Sequence, residues 1–358
     1  FHKIKRFTIM DIQNLIRPTI RALKAYSSAR DEFKGGSNDM VFMDANENPF
    51  ENGINRYPDP HQLKLKVLLS KIKKIPIENM LLGNGSDEVL DLLFRTFCEP
   101  NIDNVIILPP TYGMYEVLAN LNATHIIKVP LSDTFQLRVD SILSVSDLNS
   151  KLLFLCSPNN PTGNSFKKKD IETLLNKFNG VVVIDEAYID FSNQASWLKR
   201  LQDFPNLIIT QTLSKAYGMA GIRLGICYAS KEIISVLNTI KPPYNVNELT
   251  QLKAIENLKK DQVTKNQIAY ILEQRDELAS ELKKIDFISK IYPSDANFIL
   301  IKVDDANQRY NQLISKKVVI RNRTNQPGCE NCLRITVGTA LENKRLIQVL
   351  QQFQCNKL

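Results

Sequence analysis

The stretch that decides the fold is Leu207-Ile208-Ile209-Thr210-Gln211-Thr212-Leu213-Ser214-Lys215. Its aliphatic residues predict a buried strand, and the polar residues after them predict the point where that strand opens onto a cleft. Arg223 follows Lys215 by eight positions. A lysine, two hydroxyls and an arginine can together bind an anionic ligand and present an amine to it. Alone, a Ser-Lys pair is weak evidence, because most lysines are solvated surface groups.

Apolar runs of strand length recur on both sides of this stretch. They occupy residues 105–108, 125–129, 152–155, 181–184, 207–210 and 222–228. Segments with a helical period separate them, and continuous apolar runs are typical of strands that are covered on both faces. We therefore expect an α/β fold whose large domain contains a mostly parallel central sheet. In such sheets, ligands bind beyond the carboxyl ends of the strands.

The rest of the chain divides into an arm and a smaller unit. The sequence predicts a long charged helix over 252–282, then strands at 298–301, 318–320 and 333–337, and a closing helix at 342–353. We expect residues 41–250 to form the large domain and residues 251–358 a smaller C-terminal α/β domain. Residues 1–40 are interpreted as an N-terminal arm that packs on the small domain. Residues 1–9, ahead of Met10, are interpreted as a non-native or upstream tail.

Composition describes an ordinary globular protein. The chain has 358 residues, of which 43% are hydrophobic, and its apolar runs are far shorter than the ~20 residues of a membrane helix. No secretory signal is visible, so we expect a cytoplasmic protein with no membrane partner. The net charge of +8 suits small anions as well as nucleic acid. With neither zinc-finger spacing nor an Arg-rich tail, no nucleic-acid partner is expected.

Six cysteines are scattered along the chain, and Cys329 and Cys332 form a lone CxxC. A zinc or redox role is one interpretation of this pair. Chance neighbours in a reducing cytoplasm are the favoured one, and no metal site is predicted.

A glycine-containing motif, Leu82-Gly83-Asn84-Gly85-Ser86-Asp87-Glu88-Val89, precedes a predicted helix that runs to about residue 97. Ser86 is expected to cap that helix, whose free amides can bind an anion. A plain capped helix is the alternative interpretation. Taken by itself, the motif favours the plain helix over an anion site.

Polar motifs also end two of the predicted strands. Ser157-Pro158-Asn159-Asn160-Pro161-Thr162-Gly163 follows one of them, and the proline after Asn160 favours an extended conformation for that residue. Asp185-Glu186-Ala187-Tyr188 follows another, where a buried carboxylate is costly without a cation. A simple turn is the alternative for the first motif. A structural or metal-binding acid pair is the alternative for the second.

Together these motifs resemble the fold-type-I aminotransferases, which depend on pyridoxal 5'-phosphate (PLP), and within them the histidinol-phosphate aminotransferases. The resemblance spans nearly the whole chain in the family's order. It is carried by Ala45-Asn46-Glu47-Asn48-Pro49, Asn55-Arg56-Tyr57-Pro58-Asp59-Pro60, the motifs around Gly85, Asn160, Asp185 and Lys215, Pro110-Thr111-Tyr112-Gly113-Met114-Tyr115, and Cys332-Leu333-Arg334-Ile335-Thr336-Val337-Gly338. It implies a PLP-dependent transaminase that acts as a homodimer.

The resemblance also implies roles at the cofactor. Lys215 is expected to bind PLP covalently, Asp185 to pair with the pyridine nitrogen, and Asn160 and Tyr188 to bind the phenolic oxygen. Tyr112 is expected to stack on the ring. The residues expected around the cofactor phosphate are Gly85, Ser86, Asp87, Thr212, Ser214, Arg223 and, from the neighbouring subunit, Tyr57. Lys215, Asp185 and Tyr188 are the expected catalytic residues.

For the substrates, the resemblance implies L-histidinol phosphate and 2-oxoglutarate, with imidazole acetol phosphate and L-glutamate as products in histidine biosynthesis. Arg321 and Arg334 are expected to bind the substrate phosphate, and Arg334 also the glutamate carboxylate. Tyr26 and Asn46 complete the expected substrate site. The family often has proline before this tyrosine, whereas this chain has Ala25.

Two other activities share this fold: aromatic amino-acid transamination and decarboxylation of phosphorylated threonine. A nucleotide- or nucleic-acid-binding protein that uses the Gly83 loop is the alternative from another class. That loop lacks the full dinucleotide fingerprint and a Walker lysine, which counts against this alternative.

Overall fold

Residues 11–24, 26 and 40–354 are described by a computed structural model. The seven strands of its large sheet are β1 Met80–Asn84, β2 Asn104–Ile107, β3 His125–Lys128, β4 Ser150–Cys156, β5 Val181–Asp185, β6 Leu207–Thr212 and β7 Leu224–Tyr228. Their order across the sheet is β1-β7-β6-β5-β4-β2-β3. Among these strands β7 alone runs against the others, so the mostly parallel sheet is confirmed.

A smaller, antiparallel sheet has the order β10-β11-β9-β8. Its strands are β8 Ile288–Ile291, β9 Phe298–Val303, β10 Arg321–Asn322 and β11 Cys332–Thr336. The α-helices of the described residues are α1 Pro18–Arg21, α2 Leu63–Lys73, α3 Ser86–Phe97, α4 Met114–Leu121, α5 Val139–Val145, α6 Lys168–Lys177, α7 Lys231–Ile240, α8 Glu248–Leu258, α9 Asp261–Leu282, α10 Ala306–Ser315 and α11 Ala340–Gln351. None of them is long and apolar enough to cross a membrane.

The central strand β5 shows why the sheet is buried on both faces. Successive side chains of a strand point to opposite faces. Val182 and Ile184 pack in one apolar cluster, and Val181 and Val183 pack in another on the other face. All four side chains are fully buried. The continuous apolar run is therefore the sequence signature of a strand that lies between two helical layers.

The long helix predicted over 252–282 is wrong as a single element. The chain forms α8 and α9 instead, with a break at Lys259-Lys260. Ala254 and Leu258 belong to the core of the large sheet, whereas Leu278 and Leu282 belong to the core of the small one. One straight helix would not serve both cores, so the chain turns between them. The predicted strand at 318–320 is also wrong, since pairing begins only at β10.

The start of the arm packs on the large unit, and not on the small one as the sequence suggested. Ile12 and Ile16 are buried in the same cluster as residues of α3 and α7. The Arg17 amide also donates to the Thr96 carbonyl at 2.9 Å. These two isoleucines complete the apolar layer over α3. The predictions for residues 1–9 and 27–39 lie outside the described residues, and the division at residue 250 stays a prediction.

Two glycines make room for the turn into α3, one in the turn itself and one in the neighbouring strand β7. Gly85, with φ +80°, is the N-cap, and the predicted cap Ser86 is the first helical residue. A Cβ on Gly85 would lie 2.5 Å from Arg223 Nη2. A Cβ on Gly225, in the neighbouring strand β7, would lie 2.5 Å from the Gly85 carbonyl carbon and the Ser86 nitrogen. The turn and β7 are therefore in direct backbone contact.

Gly225→Ala tests this contact. The added methyl group would meet backbone atoms that have little room to move, so the free energy of unfolding should fall by about 1–3 kcal/mol. Urea denaturation measures the change. Gly221→Ala is the matched control, because a Cβ there meets no atom within 4 Å and the variant should unfold like the native chain. Equal unfolding midpoints for Gly225→Ala and Gly221→Ala would contradict the packing described here.

Candidate active site

The carboxyl ends of β4, β5 and β6 meet at one edge of the large sheet, because these strands are parallel neighbours. The polar motifs that follow them surround a cavity of about 160 Å³. Its lining includes Ser86, Asp87, Tyr112, Asn160, Asp185, Tyr188, Thr212, Ser214, Lys215 and Arg223. Residues predicted from separate segments of the sequence are thus brought together around one space.

Asp185 ends β5 and is only 3% exposed. The Tyr115 hydroxyl donates to its Oδ2 at 2.7 Å, and the Ala187 amide donates to its Oδ1 at 3.2 Å. Burial raises the pKa of Asp185, and these hydrogen bonds offset part of the increase. A cation bound in the cavity beside this carboxylate would favour its ionised form.

Lys215 follows β6 and contributes its amine to the lining. Its Nζ lies 5.7 Å from the ring centroid of Tyr188. Burial and the charge of Arg334 lower the pKa of Lys215, while the charge of Asp185 opposes the change. A lowered pKa increases the fraction of neutral amine near neutral pH, and the neutral amine is the nucleophilic form.

Asn160 and Tyr188 lie beside each other as the sequence predicted. The Asn160 Nδ2 is 3.5 Å from the Tyr188 hydroxyl, and the Asn160 Oδ1 accepts a hydrogen bond from Arg334. Burial raises the pKa of Tyr188, so its hydroxyl stays protonated at neutral pH and can donate a hydrogen bond. Two donors are therefore available at this side of the cavity.

The N-terminus of α3 forms an anion-binding arrangement in the same cavity. The Ser86 hydroxyl is buried and has no hydrogen-bond partner among the described residues. The Arg223 guanidinium packs against Gly85 and lies 3.6 Å from the carboxylate of Asp87. Asp87 also accepts a hydrogen bond from the Tyr112 hydroxyl at 3.0 Å. Free helix amides, an unpartnered hydroxyl and an arginine together suit a phosphate group.

The loop that carries Lys215 is shaped by Thr212. The Thr212 hydroxyl donates to the Leu224 carbonyl at 3.2 Å and accepts from the Ser214 amide at 3.1 Å. Both predicted residues line the cavity, but the Thr212 hydroxyl is already bonded within the loop. It therefore fixes the loop as well as facing the predicted phosphate site.

A second cavity, of about 410 Å³, shares part of this lining. Tyr112, Asn160, Tyr188 and Lys215 line both cavities. The residues that belong to the larger cavity alone include the predicted pair Arg321 and Arg334, together with Arg323. Burial lowers the pKa of Arg334, whose guanidinium Cζ lies 5.1 Å from the ring centroid of Phe298.

Gly85 packs against Arg223 but is not part of either lining, and three further predicted residues are also outside both linings. Tyr26 is 74% exposed. Asn46 and Tyr57 line a separate cavity of about 380 Å³ together with Asn247 and Leu249. Tyr57 stacks on Tyr244 with ring centroids 4.4 Å apart. The single chain therefore does not bring these three residues to Lys215.

The family model for aminotransferase class I and II matches residues 36–350 of this chain. The chain belongs to this family. The aminotransferase is 61% identical over 342 residues to the histidinol-phosphate aminotransferase of Flavobacterium johnsoniae, with 95% of this chain and 98% of that protein covered. The family predicted from the sequence is confirmed.

Solved structures confirm the predicted fold type. The aminotransferase superposes on the histidinol-phosphate aminotransferase of Clostridium acetobutylicum with a TM-score of 0.77 at 24% identity, over 84% of this chain and 90% of that one. For the Sinorhizobium meliloti histidinol-phosphate aminotransferase, solved in complex with pyridoxal-5'-phosphate, the TM-score is 0.76 at 22% identity over 83% of each chain. The predicted dependence on PLP is confirmed by the family.

The cavity of about 160 Å³ has side chains that suit each part of PLP. It offers a primary amine at Lys215, a buried carboxylate at Asp185 that lacks a cation among the described residues, and an anion-binding helix N-terminus. The unpartnered Ser86 hydroxyl is the most specific of these features. A buried hydroxyl without a partner is unfavourable, and a ligand phosphate would supply the missing acceptor.

Sequence reasoning missed two residues at the site. Tyr115 was part of a quoted motif but received no role, although it contacts Asp185 directly. Arg323 was not among the predicted site residues, although it lines the larger cavity. For Arg323 a signal existed, since residues two apart on a strand share a face. The contact between Tyr115 and Asp185 joins residues 70 positions apart and left no local signal.

Tyr115→Phe should shift the acidic limb of the pH–rate profile to higher pH. The hydroxyl lowers the pKa of Asp185, so its loss raises that pKa further and the ionised form is lost at a higher pH. We expect kcat at neutral pH to fall by about tenfold, the effect of one hydrogen bond to a charged group. Tyr310→Phe, in α10, is the control and should leave the profile unchanged. An unshifted limb in Tyr115→Phe would show that the hydrogen bond does not act on Asp185.

Proposed function

We propose that this aminotransferase transfers the amino group of L-histidinol phosphate to 2-oxoglutarate, giving imidazole acetol phosphate and L-glutamate in histidine biosynthesis. One observation carries the proposal: guanidinium groups share a cavity with the Lys215 amine. Both amino donors, histidinol phosphate and glutamate, carry an anionic group that arginine binds well. The name of the relative that is 61% identical supports the same substrate.

At the cofactor, the proposal gives each residue a chemical role. When bound, PLP supplies an electron sink for the electrons released as the substrate's C–H bond breaks. Lys215 would hold PLP covalently, and its amine would take up and return the proton at the substrate carbon. Asp185 keeps the pyridine nitrogen protonated, and its buried position supports this role because a carboxylate there needs a cation.

Other residues orient the cofactor. Asn160 and Tyr188 donate to the phenolic oxygen, which their adjacent polar atoms support. Tyr112 stacks on the ring, held by its hydrogen bond to Asp87. The group that binds the cofactor phosphate comprises Gly85, Ser86, Asp87, Thr212, Ser214 and Arg223. For Asp87, we propose that the backbone amide contacts the phosphate, because its carboxylate lies near Arg223 and Tyr112.

At the substrate, Arg334 binds the carboxylate of glutamate and shares the phosphate of histidinol phosphate with Arg321. The antiparallel register places these two residues directly opposite each other. Tyr26 and Asn46 also belong to the proposed substrate site, although neither residue lines the cavities around Lys215 in a single chain. The exposed position of Tyr26 leaves it accessible to a bound substrate or a second subunit.

The active unit in this proposal is a homodimer. Val41, Met43 and Phe50 lie in one segment and are 82%, 90% and 80% exposed, which is unfavourable for apolar side chains in water. Tyr57 lies nearby in sequence and lines a cavity away from Lys215. A second copy would cover the apolar segment, and Tyr57 would reach the cofactor phosphate of that copy. We also propose a cytoplasmic location, which the free thiols of the five described cysteines support.

L-Histidinol phosphate alone, added to the PLP-loaded protein, should convert the cofactor's visible absorption from the pyridoxal to the pyridoxamine form. Subsequent addition of 2-oxoglutarate should reverse the change, because the two half-reactions share one site. Phenylalanine and phosphothreonine are the comparison substrates. Faster conversion by phenylalanine would replace the proposal with aromatic transamination, and release of CO₂ from phosphothreonine would replace it with a lyase.

Mixed dimers of Lys215→Ala and Tyr57→Ala chains test the shared site. If Tyr57 serves the other subunit, each mixed dimer has one intact site, and random mixing should restore about a quarter of native activity. Each variant alone is the control and should be nearly inactive. If Tyr57 served its own subunit, mixing would restore nothing.

A further inference from the structure

Three arginines share one face of the small sheet. In β10 and β11, Arg321 lies opposite Arg334. The Arg323 amide then donates to the Cys332 carbonyl at 2.9 Å, which continues the same ladder by two residues. Because side chains alternate along a strand, Arg321 and Arg323 point to the same side, and both line the cavity that contains Lys215.

The three guanidinium groups repel one another. Burial, followed by the charges of Arg334 and Arg321, lowers the pKa of Arg323 to about 10. No carboxylate forms a salt bridge with Arg323 or Arg334 within the described part of the chain. The Nε atoms of both side chains are buried without a hydrogen-bond partner there. Half-buried cations with buried, unpartnered donors are costly unless a ligand supplies the opposite charge and the acceptors.

The amount of charge indicates the kind of ligand. Arg334 and Arg321 already suffice for a carboxylate, which carries one negative charge and accepts one bidentate pair. A phosphate monoester carries close to two negative charges at neutral pH and has three terminal oxygens. A third guanidinium with free donors therefore matches the phosphate and exceeds what a carboxylate needs.

We propose that Arg323 is a specificity-determining residue that binds the phosphate dianion of the amino donor and contributes little to the binding of glutamate or 2-oxoglutarate. This inference rests on the proposed function. The backbone of Arg323 is hydrogen-bonded to Cys332, which forms a turn with Cys329. Both cysteines are fully buried, so the backbone position of Arg323 is fixed before the ligand binds.

The test compares two half-reactions of the PLP-loaded holoenzyme. In Arg323→Gln, the half-saturating concentration of L-histidinol phosphate should rise by about 10- to 100-fold, the effect of losing hydrogen bonds to a charged group. The value for L-glutamate should change less than about threefold, since Arg334 is intact. Arg323→Lys should recover part of the loss, because it keeps the charge but not the planar fork of donors. Arg138→Gln, at an exposed arginine 3.7 Å from Asp133, is the matched control and should match the native enzyme.

A pH series separates charge recognition from a structural role. The second phosphate pKa is about 6, so the dianion is the main form above that pH. The native enzyme should lose affinity for histidinol phosphate as the pH falls through this value, and Arg323→Gln should show a weaker dependence. Equal losses for histidinol phosphate and glutamate, or an unchanged pH dependence, would overturn the inference.

Inorganic phosphate, used as a competitor of glutamate, distinguishes this inference from the proposed function. Weaker inhibition in Arg323→Gln than in the native enzyme would support the phosphate site even if histidinol phosphate were not a substrate. Failure of the native enzyme to convert histidinol phosphate would overturn the proposed function alone. Equal inhibition of both enzymes by phosphate would overturn the role of Arg323.

Discussion

A carboxylate buried at the end of the central strand is the constraint on which the rest of this site depends. Asp185 is almost completely buried, and the Tyr115 hydroxyl and the Ala187 amide donate hydrogen bonds to its carboxylate. Burial favours the neutral acid, whereas the chemistry of an aminotransferase requires the anion. In the proposed site, the protonated ring of PLP would supply the cation that the Asp185 carboxylate lacks. Cofactor binding and stability of the core are therefore linked.

The arginines of the neighbouring cavity also lack an opposite charge among the described residues. Arg323 and Arg334 have buried donors without acceptors, and their charges oppose one another. Within the described residues, the site therefore contains a buried carboxyl group without a cationic partner and, in the neighbouring cavity, a group of arginines without a carboxylate partner. Each lacks the partner that a ligand carries. Sites of this kind reduce the stability of the free protein in exchange for affinity, which is common at functional sites.

Much of this site could be predicted because its residues follow apolar strands. Asp185 and Lys215 come directly after buried runs, and parallel neighbours bring such ends to one edge. Other features had no local signal. The contact between Tyr115 and Asp185 depends on how α4 packs on the sheet, and the break between α8 and α9 depends on two separate cores. The cap at Gly85 was missed for a similar reason, since the nearby Arg223 and β7 decide it and serine is otherwise a good cap.

Strand β7 runs against the rest of the sheet, and this has a consequence for how the loop between 212 and 223 can change. Thr212 pairs with Gly225, so both ends of the loop are anchored by one ladder. The amine of Lys215 and the guanidinium of Arg223 are therefore positioned from opposite ends of a closed segment. At Gly218, where φ is positive, a side chain would meet no atom within 4 Å and would extend outward from this segment. This gives an evolving chain a place to vary the rim of the site while its chemistry stays fixed.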